Sequence, residues 1–464
     1  MKAASFRLPE QSIVPTLAQK VEAVGGRLIV VGGWVRDCLN EDSSNDLDLE
    51  IFGLSRDQIS ELLAPFHFSK PVGRQFPVWR ETRQGIDVAF PRAGARPGPS
   101  NSRESLESAF REASRHRDLT INAIGWDPIA NELIDPWKGR RDLEARRLRA
   151  VSEETFADDP LRVIRVARLC ARFDASVDDG LEGLCRGIDL DGLAPERIAR
   201  ELCRILCESP MPSIAFGFLK AVDQLRVFAP IEALCGVGQD PHWHPEGDVF
   251  VHTCLVVDRA ATIAREEKLA FASRELLLLA ALCHDLGKPE TTTIEKDGRV
   301  RSIGHESLGA QRTGQWLREL RLADRTVSAV EALVAHHLAP AQFVGQGAGA
   351  RAYRRLARKL APTGVDLIDL ERVARADHLG RTTEEARAGR FDQGAVFLAA
   401  ATAAEVAEGV REDVVTAALL MDRGIAAGPS LGRLLARCRE IEDESGSREA
   451  TWIMDRALAD RDSD

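Results

Sequence analysis

The spacing of apolar and polar residues divides the chain into a mixed N-terminal part and a long helical remainder. Between about residues 27 and 90, three short runs are typical of strands. "RLIVV" is uniformly apolar, as in a buried strand, "DLDLEIF" alternates with a period of two, and "GIDVAF" is a third candidate. After about residue 143, nearly all apolar positions recur with helical spacing. The pattern therefore predicts an α+β head followed by all-α domains.

Interruptions of this pattern mark the expected domain boundaries. "GVGQDPHWHPEGD" (236–248) is the clearest break, "FVGQGAGA" (343–350) falls inside a domain, and "RAGARPGPSNS" (92–102) is typical of a mobile loop. A chain of 464 residues is too long for a single core. We expect a head at 1–142, a helical neck and body at 143–235, a third helical domain at 236–395 and a helical tail at 396–464.

Composition changes this picture little. The chain has 44% hydrophobic and 29% charged residues, and its longest apolar run, 276–283, is too short to span a membrane. The N-terminus lacks the apolar core of a signal peptide, and the nine cysteines include no C-x-x-C pair. We therefore expect a cytoplasmic protein with reduced thiols and no membrane partner. The net charge of −10 argues against bulk nucleic-acid binding, but residues 138–172 carry ten Lys or Arg against six Asp or Glu.

The alternating strand carries two carboxylates on one face. Asp46 and Asp48 point to the same side, and Leu47 and Leu49 to the other. Paired carboxylates bind hard divalent cations such as Mg²⁺, which phosphoryl transfer requires. A third carboxylate, Asp87, lies on the candidate strand "GIDVAF". Alone, D-x-D also fits an exposed strand face with no function.

A glycine pair precedes these carboxylates. Gly32 and Gly33 follow the first strand and allow the backbone to approach phosphate oxygens, and Arg36 supplies a cationic fork. The bland alternative is a simple turn. The ordered combination of G-G-x-x-R-D and D-x-D is much more specific, and it predicts that the glycines and the arginine hold a triphosphate while the aspartates hold its metals.

This combination resembles the tRNA nucleotidyltransferase and poly(A) polymerase superfamily of the polymerase-β type. Further segments match its motif blocks, namely "RHRDLTINAIGWDPIANELIDPWKGRRDLEARRLRAV" (115–151), "DDPLRVIRVARLCARF" (158–173), "LAPERIARELCRIL" (193–206) and "GIAAGPSLGRLL" (424–435). The resemblance implies a bacterial enzyme of the CCA-adding type, which uses CTP and ATP to build C-C-A on tRNA 3′ ends without a nucleic-acid template.

The resemblance also implies how the base is selected. C and A both present an amino donor beside a ring-nitrogen acceptor, so Asp159 would accept from the amino group and Arg162 would donate to the ring nitrogen. From sequence alone, Asp159 also fits a helix N-cap, and the arginines at 162, 165 and 168 a solvated basic face. Asp158 stands where the family usually has Glu, so its role stays open.

The same matching gives weaker assignments for the rest of this pocket. Arg117 and Asp118 would contact the sugar and phosphates of the nucleotide, Asn122 would belong to the same pocket, and Arg165 would support nucleotide or primer binding.

Histidines predict a second centre. Eight of the ten lie between residues 242 and 378. A lone histidine on an apolar helix is usually a core residue, but a buried His-Asp pair is costly without a cation. The order of these residues resembles the HD-type metal phosphohydrolases, in which one divalent ion would be held by His252, His284, Asp285 and Asp377.

A second ion at this centre would take His305 with His336 or His337. A divalent transition metal or Mg²⁺ suits such ligands and would activate a water for attack on a phosphoester. The preceding "HWHPEGD" (242–248) resembles the segment before this domain in the bacterial enzymes and is expected to be structural.

Several functions fit the motifs. The leading expectation is a CTP- and ATP-dependent tRNA nucleotidyltransferase with an added phosphohydrolase. A CC-only, A-only or poly(A)-adding relative also fits, since A satisfies the same Asp–Arg pair and the segment 90–115 is less family-like. A non-catalytic RNA-binding protein is disfavoured by the intact glycines and carboxylates. Alarmone synthetase-hydrolases have the reverse domain order. The oligomeric state is not specified.

Overall fold

The computed structural model describes residues 6–42, 46–69, 77–91 and 103–461. The predicted loop at 92–102 lies outside the described residues. The chain divides into two compact units, Met1–Leu193 with Ala221–Gln224, and Ala194–Lys220 with Leu225–Asp464. The division into four domains stays a prediction.

The first unit combines a mixed sheet with short helices. Its strands are β1 Arg27–Val31, β2 Leu47–Phe52, β3 Val78–Glu81, β4 Ile86–Ala89, β5 Gly125–Asp127, β6 Glu132–Ile134, β7 Arg147–Leu148 and β8 Ser176–Val177. Its α-helices are α1 Val14–Ala23, α2 Gly33–Leu39, α3 Arg56–Leu63, α4 Arg103–Ser114, α5 Gly139–Glu144, α6 Glu153–Phe156, α7 Arg162–Phe173 and α8 Asp179–Gly187, with 3₁₀ turns at Ala64–Phe66 and Thr120–Asn122.

Six of these strands form one sheet in the order β3-β4-β2-β1-β5-β6. β1 and β2 are antiparallel, whereas β2 and β4 are parallel. Alternation along β2 sends Leu47, Leu49 and Ile51 into a core with α1 and α3. Phe52 faces the other way and packs against Phe110 of α4. One face of β2 is therefore apolar throughout, and the other is apolar only at its far end.

The second unit is almost entirely helical. Its helices are α9 Pro195–Glu208, α10 Ser213–Ala221, α11 Ala229–Glu232, α12 Val249–Glu266, α13 Phe271–Cys283, α14 Lys288–Thr291, α15 His305–Glu319, α16 Asp324–His336, α17 Ala339–Gly345, α18 Ala350–Leu360, α19 Leu367–Gly380, α20 Glu384–Arg387, α21 Asp392–Ala403, α22 Ala417–Asp422, α23 Pro429–Ser445 and α24 Ala450–Arg461. A hairpin of β9 Thr292–Ile294 and β10 Val300–Ser302 and 3₁₀ turns at Leu225–Phe228 and Ala361–Thr363 complete it.

The helix α13 lies at the centre of this unit. It contacts α9, α12, α15, α16 and α19, and its residues from Leu277 to Cys283 are all buried. This explains why the run "LLLLAALC" is apolar all round rather than on one stripe. Within the described part of the chain, no helix is both long and apolar enough to cross a membrane.

The predicted fold class is confirmed. The three strands read from the sequence correspond to β1, β2 and β4, and the segment 236–248 separates α11 from α12. The helix α1 was not predicted. The strands β7 to β10 have only two or three residues each. They are too short to produce an alternating pattern in the sequence.

Gly139, at the start of α5, provides a test of packing in the first unit. A Cβ there would lie 2.0 Å from the backbone oxygen of Thr120. We expect Gly139→Ala to destabilise this unit by at least about 1–3 kcal/mol, the usual cost of overpacking, because the obstacle is backbone. The matched control is Gly183→Ala in α8, where a Cβ meets nothing within 4 Å. There we expect an unchanged or higher urea midpoint, and equal midpoints for both variants would contradict the packing described.

Candidate functional site

Carboxylates of two neighbouring strands meet on one face of the sheet. Asp46 precedes β2, and Asp48 and Glu50 lie within it on the same side. The parallel pairing of β2 with β4 sets Asp87 directly beside Asp48. We call Asp46, Asp48, Glu50 and Asp87 the acidic face. The structure therefore brings together both carboxylates expected from D-x-D and the third candidate.

Repulsion within the acidic face is only partly relieved. Arg80 donates to both oxygens of Asp87 at 2.8 and 2.5 Å. Arg117 donates to Glu50 at 2.7 Å. Burial, opposed by Arg117 and reinforced by the neighbouring carboxylates, raises the pKa of Asp48 to about 6. A cation bound at this place would relieve the same repulsion, so the acidic face fits a divalent metal.

The glycine turn borders the acidic face. Gly32 has a φ of 77° and a ψ of −139°, which a residue with a Cβ rarely adopts. A Cβ at this position would lie 3.1 Å from Arg117 Nη1 and 3.2 Å from Asp48 Oδ2. Because Gly32 has no side chain, the turn, Arg117 and Asp48 can lie close together. Gly33 follows as the first residue of α2.

A chain of buried hydrogen bonds connects this turn to α7. Arg36 donates to Asn122 Oδ1 at 2.5 Å, and Asn122 Nδ2 donates to Asp118 Oδ1 at 2.9 Å. Arg165 of α7 donates to Asp118 Oδ2 at 2.8 Å. Burial alone would raise the pKa of Asp118, but Arg165 and the donated hydrogen bonds hold that pKa well below its usual range. The network thus contains four of the residues expected to bind nucleotide.

The Arg36 side chain is buried in the protein rather than extended into solvent. Only 4% of it is exposed, and its guanidinium also pairs with Asp37 at 2.6 Å. The ring of Phe173 lies 5.1 Å from it. The guanidinium lies beside Gly33, so in this arrangement Arg36 supports the turn. Direct contact between Arg36 and phosphate stays a prediction.

The helix α7 begins at Arg162 rather than at Pro160. The Asp159 side chain accepts from the backbone of Leu161 at 3.2 Å, in the turn that leads into the helix, and its capping role stays a prediction. Arg162 donates to the backbone carbonyls of Thr155, Phe156 and His116.

The alternative of a solvated basic face on α7 is wrong. Arg162 and Arg168 are only 7% and 2% exposed. Asp158 is exposed and lies 3.9 Å from His116.

The second unit collects the predicted histidines. His252 lies in α12, His284 and Asp285 follow α13, and Asp377 lies in α19. His252 Nε2 is 3.1 Å from Asp377 Oδ1, and His284 Nε2 is 3.1 Å from Asp285 Oδ2. The cross distances, His252 to Asp285 and His284 to Asp377, are 3.9 and 4.0 Å. The side-chain nitrogen and oxygen atoms of the four residues expected to hold one ion thus lie in one group.

A second group shares Asp285. His305 Nε2 lies 3.4 Å from Asp285 Oδ1, and His337 completes the group. We call His252, His284, Asp285, Asp377, His305 and His337 the histidine cluster. His336 belongs to neither group among the described residues, so the geometry favours His337 of the two adjacent histidines. The reason is helical geometry, since successive residues of a helix point about 100° apart.

The polar atoms of the histidine cluster fit a metal. His284, His305 and His337 each place Nδ1 at 2.7–2.8 Å from a backbone carbonyl, which makes Nδ1 the donor and leaves Nε2 with a lone pair. Asp285 is buried, and its Oδ2 lies 3.1 Å from His284 Nε2 and 2.7 Å from Lys288 Nζ. Burial and the neighbouring His284 lower the pKa of His337 to about 4, so it is neutral at physiological pH. Imidazole nitrogens gathered around buried carboxylate oxygens are a donor set for divalent cations.

Sequence reasoning missed three charged residues at these sites. Glu50 continues the alternation of D-L-D-L-E, so the same period would have found it. Lys288 Nζ lies 2.7 Å from Asp285 Oδ2, three residues along the chain. Glu246, in the segment treated as structural, lies 2.8 Å from His252 Nδ1. No sequence pattern indicated that contact.

Family comparisons agree with both sites. Residues 28–149 match the poly A polymerase head domain family, and residues 249–380 match the HD domain family. The first range contains the glycine turn and the acidic face. The second contains the whole histidine cluster.

The structure is similar to solved CCA-adding enzymes. One in complex with CTP has a TM-score of 0.59 and 18% identity, over 96% of this chain and 94% of that chain. A Thermotoga maritima CCA-adding enzyme complexed with tRNA_CCA has a TM-score of 0.58 and 17% identity, over 98% and 96% of the two chains. At this identity the likeness shows the fold, which is the predicted polymerase-β-type head followed by helical domains.

Curated relatives are closer in sequence. A multifunctional CCA protein of Xanthomonas euvesicatoria pv. vesicatoria (strain 85-10) is 36% identical over 295 residues, 61% of this chain and 68% of the relative. One of Paracidovorax citrulli (strain AAC00-1) is 37% identical over 309 residues, 64% of this chain and 70% of the relative. With this identity and coverage, the chain belongs to the multifunctional CCA protein family.

Proposed function

We propose that the chain is a nucleotidyltransferase that adds C, C and A to tRNA 3′ ends from CTP and ATP. The observation that carries the proposal is the acidic face beside the Gly32 turn, connected by hydrogen bonds through Asn122 to α7. Three carboxylates on one face of the sheet serve metal-assisted phosphoryl transfer. Membership of the CCA protein family supplies the substrates.

In the reaction, the tRNA 3′ hydroxyl attacks the α-phosphate of the nucleotide, and pyrophosphate leaves. Asp46, Asp48 and Asp87 would hold Mg²⁺, which neutralises charge on the triphosphate and lowers the pKa of the attacking hydroxyl. Gly32 lets the phosphates approach the backbone. Arg117, fixed by its ion pair with Glu50, adds positive charge at the same place.

Base selection is assigned to α7 and the residues before it. Asp159 accepts from the amino group of C or A, and Arg162 donates to the ring nitrogen. Three hydrogen bonds to backbone carbonyls fix the plane of the Arg162 guanidinium beside Asp159. G and U present the opposite order of donor and acceptor and would leave both side chains unsatisfied.

The histidine cluster is proposed as a metal-dependent phosphohydrolase centre. His252, His284, Asp285 and Asp377 would hold one divalent ion, and Asp285, His305 and His337 a second, with Asp285 shared. A metal bound there supplies an activated water for attack on a phosphoester. A transition metal fits the imidazole-rich set better than Mg²⁺ does.

Removal of the metal carboxylates tests the transferase. We expect Asp46→Asn and Asp48→Asn each to slow CTP incorporation into tRNA lacking its last three nucleotides by at least about 100-fold, because charge stabilisation in the transition state is lost. Asp57→Asn, on the exposed first turn of α3, is the matched control and should retain the parent rate. Incorporation at the parent rate by the Asp48 variant would contradict the role of the acidic face.

The raised pKa of Asp48 predicts a pH dependence of metal binding. As pH falls through about 6, this carboxyl takes up a proton that a cation must displace. Mg²⁺ affinity should therefore fall by up to about tenfold per pH unit below that value and level off above it. Calorimetric titration of the parent and of Asp48→Asn isolates this site by difference. A difference that does not change with pH would show that Asp48 does not titrate there.

The adjacent residues His336 and His337 provide a matched pair of variants that tests the second ion. We expect His337→Ala to lower the Mn²⁺ retained by the histidine cluster by one ion, because His337 faces Asp285 and His305. His336→Ala should retain the parent ratio. Mass spectrometry of dialysed protein in an Asp48→Asn background measures the metal without the transferase site. Loss of metal in the His336 variant alone would reverse the assignment.

A further inference from the structure

Glu246 is a buried carboxylate that contacts His252 of α12 and Thr382, which follows α19. Its side chain is 1% exposed. Oε1 accepts from His252 Nδ1 at 2.8 Å and from His244 Nδ1 at 3.0 Å. Oε2 accepts from the backbone nitrogen of Thr382 at 3.0 Å, just beyond the helix α19 that carries Asp377. Glu246 therefore connects the segment 236–248 to His252 of the histidine cluster and to the residues that follow α19.

We propose that Glu246 is a positioning residue that fixes the tautomer and ring orientation of His252, an inference that rests on the proposed metal centre. On the other side of the ring, Nε2 lies within hydrogen-bonding distance of Asp377 Oδ1, at 3.1 Å, and 3.9 Å from Asp285 Oδ2. With Nδ1 donating to Glu246, Nε2 is the ring atom left to bind an ion.

The position of His252 in its helix explains why a carboxylate is needed there. The other three histidines of the cluster stand at helix ends, and each finds a carbonyl three residues earlier, on Ala281, Ser302 or Val334. Ala281 and Val334 lie in the last turns of α13 and α16, where carbonyls lack an intrahelical partner, whereas Ser302 is the last residue of β10. His252 instead lies inside α12, where the carbonyls are engaged in the helix. An acceptor must therefore come from outside, and Glu246 supplies it.

Direct metal ligation by Glu246 is less consistent with these contacts. His244, Glu246 and His252 are close enough to form a ligand set of their own. However, the two oxygens of Glu246 already accept from two imidazoles, a backbone amide and the Thr382 hydroxyl. An ion there would also have to share the His252 ring with the histidine cluster.

The test compares Glu246→Ala and Glu246→Gln with Asp248→Ala. Asp248 caps α12 through the backbone of Val251 and also binds the backbone of Gly236, so its loss weakens the same segment without touching His252. In metal-free, ¹⁵N-histidine-labelled protein, long-range ¹H–¹⁵N spectra report which ring nitrogen of His252 carries the proton. Mn²⁺ titration in the Asp48→Asn background then reports the affinity and the number of ions bound.

We expect His252 to be protonated at Nδ1 in the parent and in the Asp248 control. Glu246→Ala should lose this preference and weaken Mn²⁺ binding by about 10–100-fold. Glu246→Gln should keep the tautomer, because its amide oxygen still accepts, and should lose only part of the affinity.

Three results would overturn the proposal. One is an unchanged tautomer in Glu246→Ala. Another is an equal loss of affinity in Asp248→Ala, which would make the effect one of segment folding. The third is disappearance of one whole ion in both Glu246 variants, which would make Glu246 a ligand. A parent that binds no Mn²⁺ at the cluster would refute the metal centre, whereas the tautomer spectra would still test Glu246.

Discussion

Repulsion between carboxylates held on one face of a sheet is the constraint around which the first unit is organised. Strand alternation and parallel register place Asp48 beside Asp87, with Glu50 two residues further along. Arg80 and Arg117 each neutralise one neighbour, and Asp48 keeps a raised pKa. A cation bound beside Asp48 would relieve the repulsion that remains, and this is the basis of the proposed metal site.

The same constraint determines what surrounds the acidic face. Arg117 must stay close to both Glu50 and Asp48, and only a residue without a side chain fits at the adjacent turn. Arg36 supports this turn. Arg36 is hydrogen-bonded to Asn122, Asn122 to Asp118, and Asp118 to Arg165. Four of the residues proposed to bind nucleotide thus belong to one largely buried polar network. Such networks hold their members in a defined geometry when every group is satisfied.

The second unit has a related arrangement, in which imidazole nitrogens and buried carboxylates lie close together. Backbone carbonyls or Glu246 accept from the Nδ1 atom of each clustered histidine, so the Nε2 atoms converge on two buried aspartates. Lys288 and Arg381 lie beside the same aspartates and offset part of their charge. Both units therefore gather the oxygen or nitrogen atoms that a divalent ion binds.

Local patterns were sufficient to predict much of this organisation. Alternation in "DLDLEIF" predicted the strand and its acidic side, and the resemblance to HD-type phosphohydrolases implied the set of His and Asp ligands. Contacts between distant segments were not accessible in the same way. The burial of Arg162 depends on carbonyls of another segment, including that of His116, and the role of Glu246 depends on Thr382, 136 residues away. Whether His336 or His337 faces Asp285 and His305 depends on where α16 ends. Periodicity in the sequence does not locate the end of a helix to one residue.

The most direct measurement supplies purified protein, Mg²⁺ and tRNA lacking its last three nucleotides with CTP, ATP, both together, or GTP and UTP, and sizes the products at one-nucleotide resolution. Three additions with CTP and ATP together, and none with GTP or UTP, are the predicted result. Stopping after two additions, or adding A alone, would identify a partial-activity relative. No addition to any tRNA end under these conditions would contradict the transferase assignment.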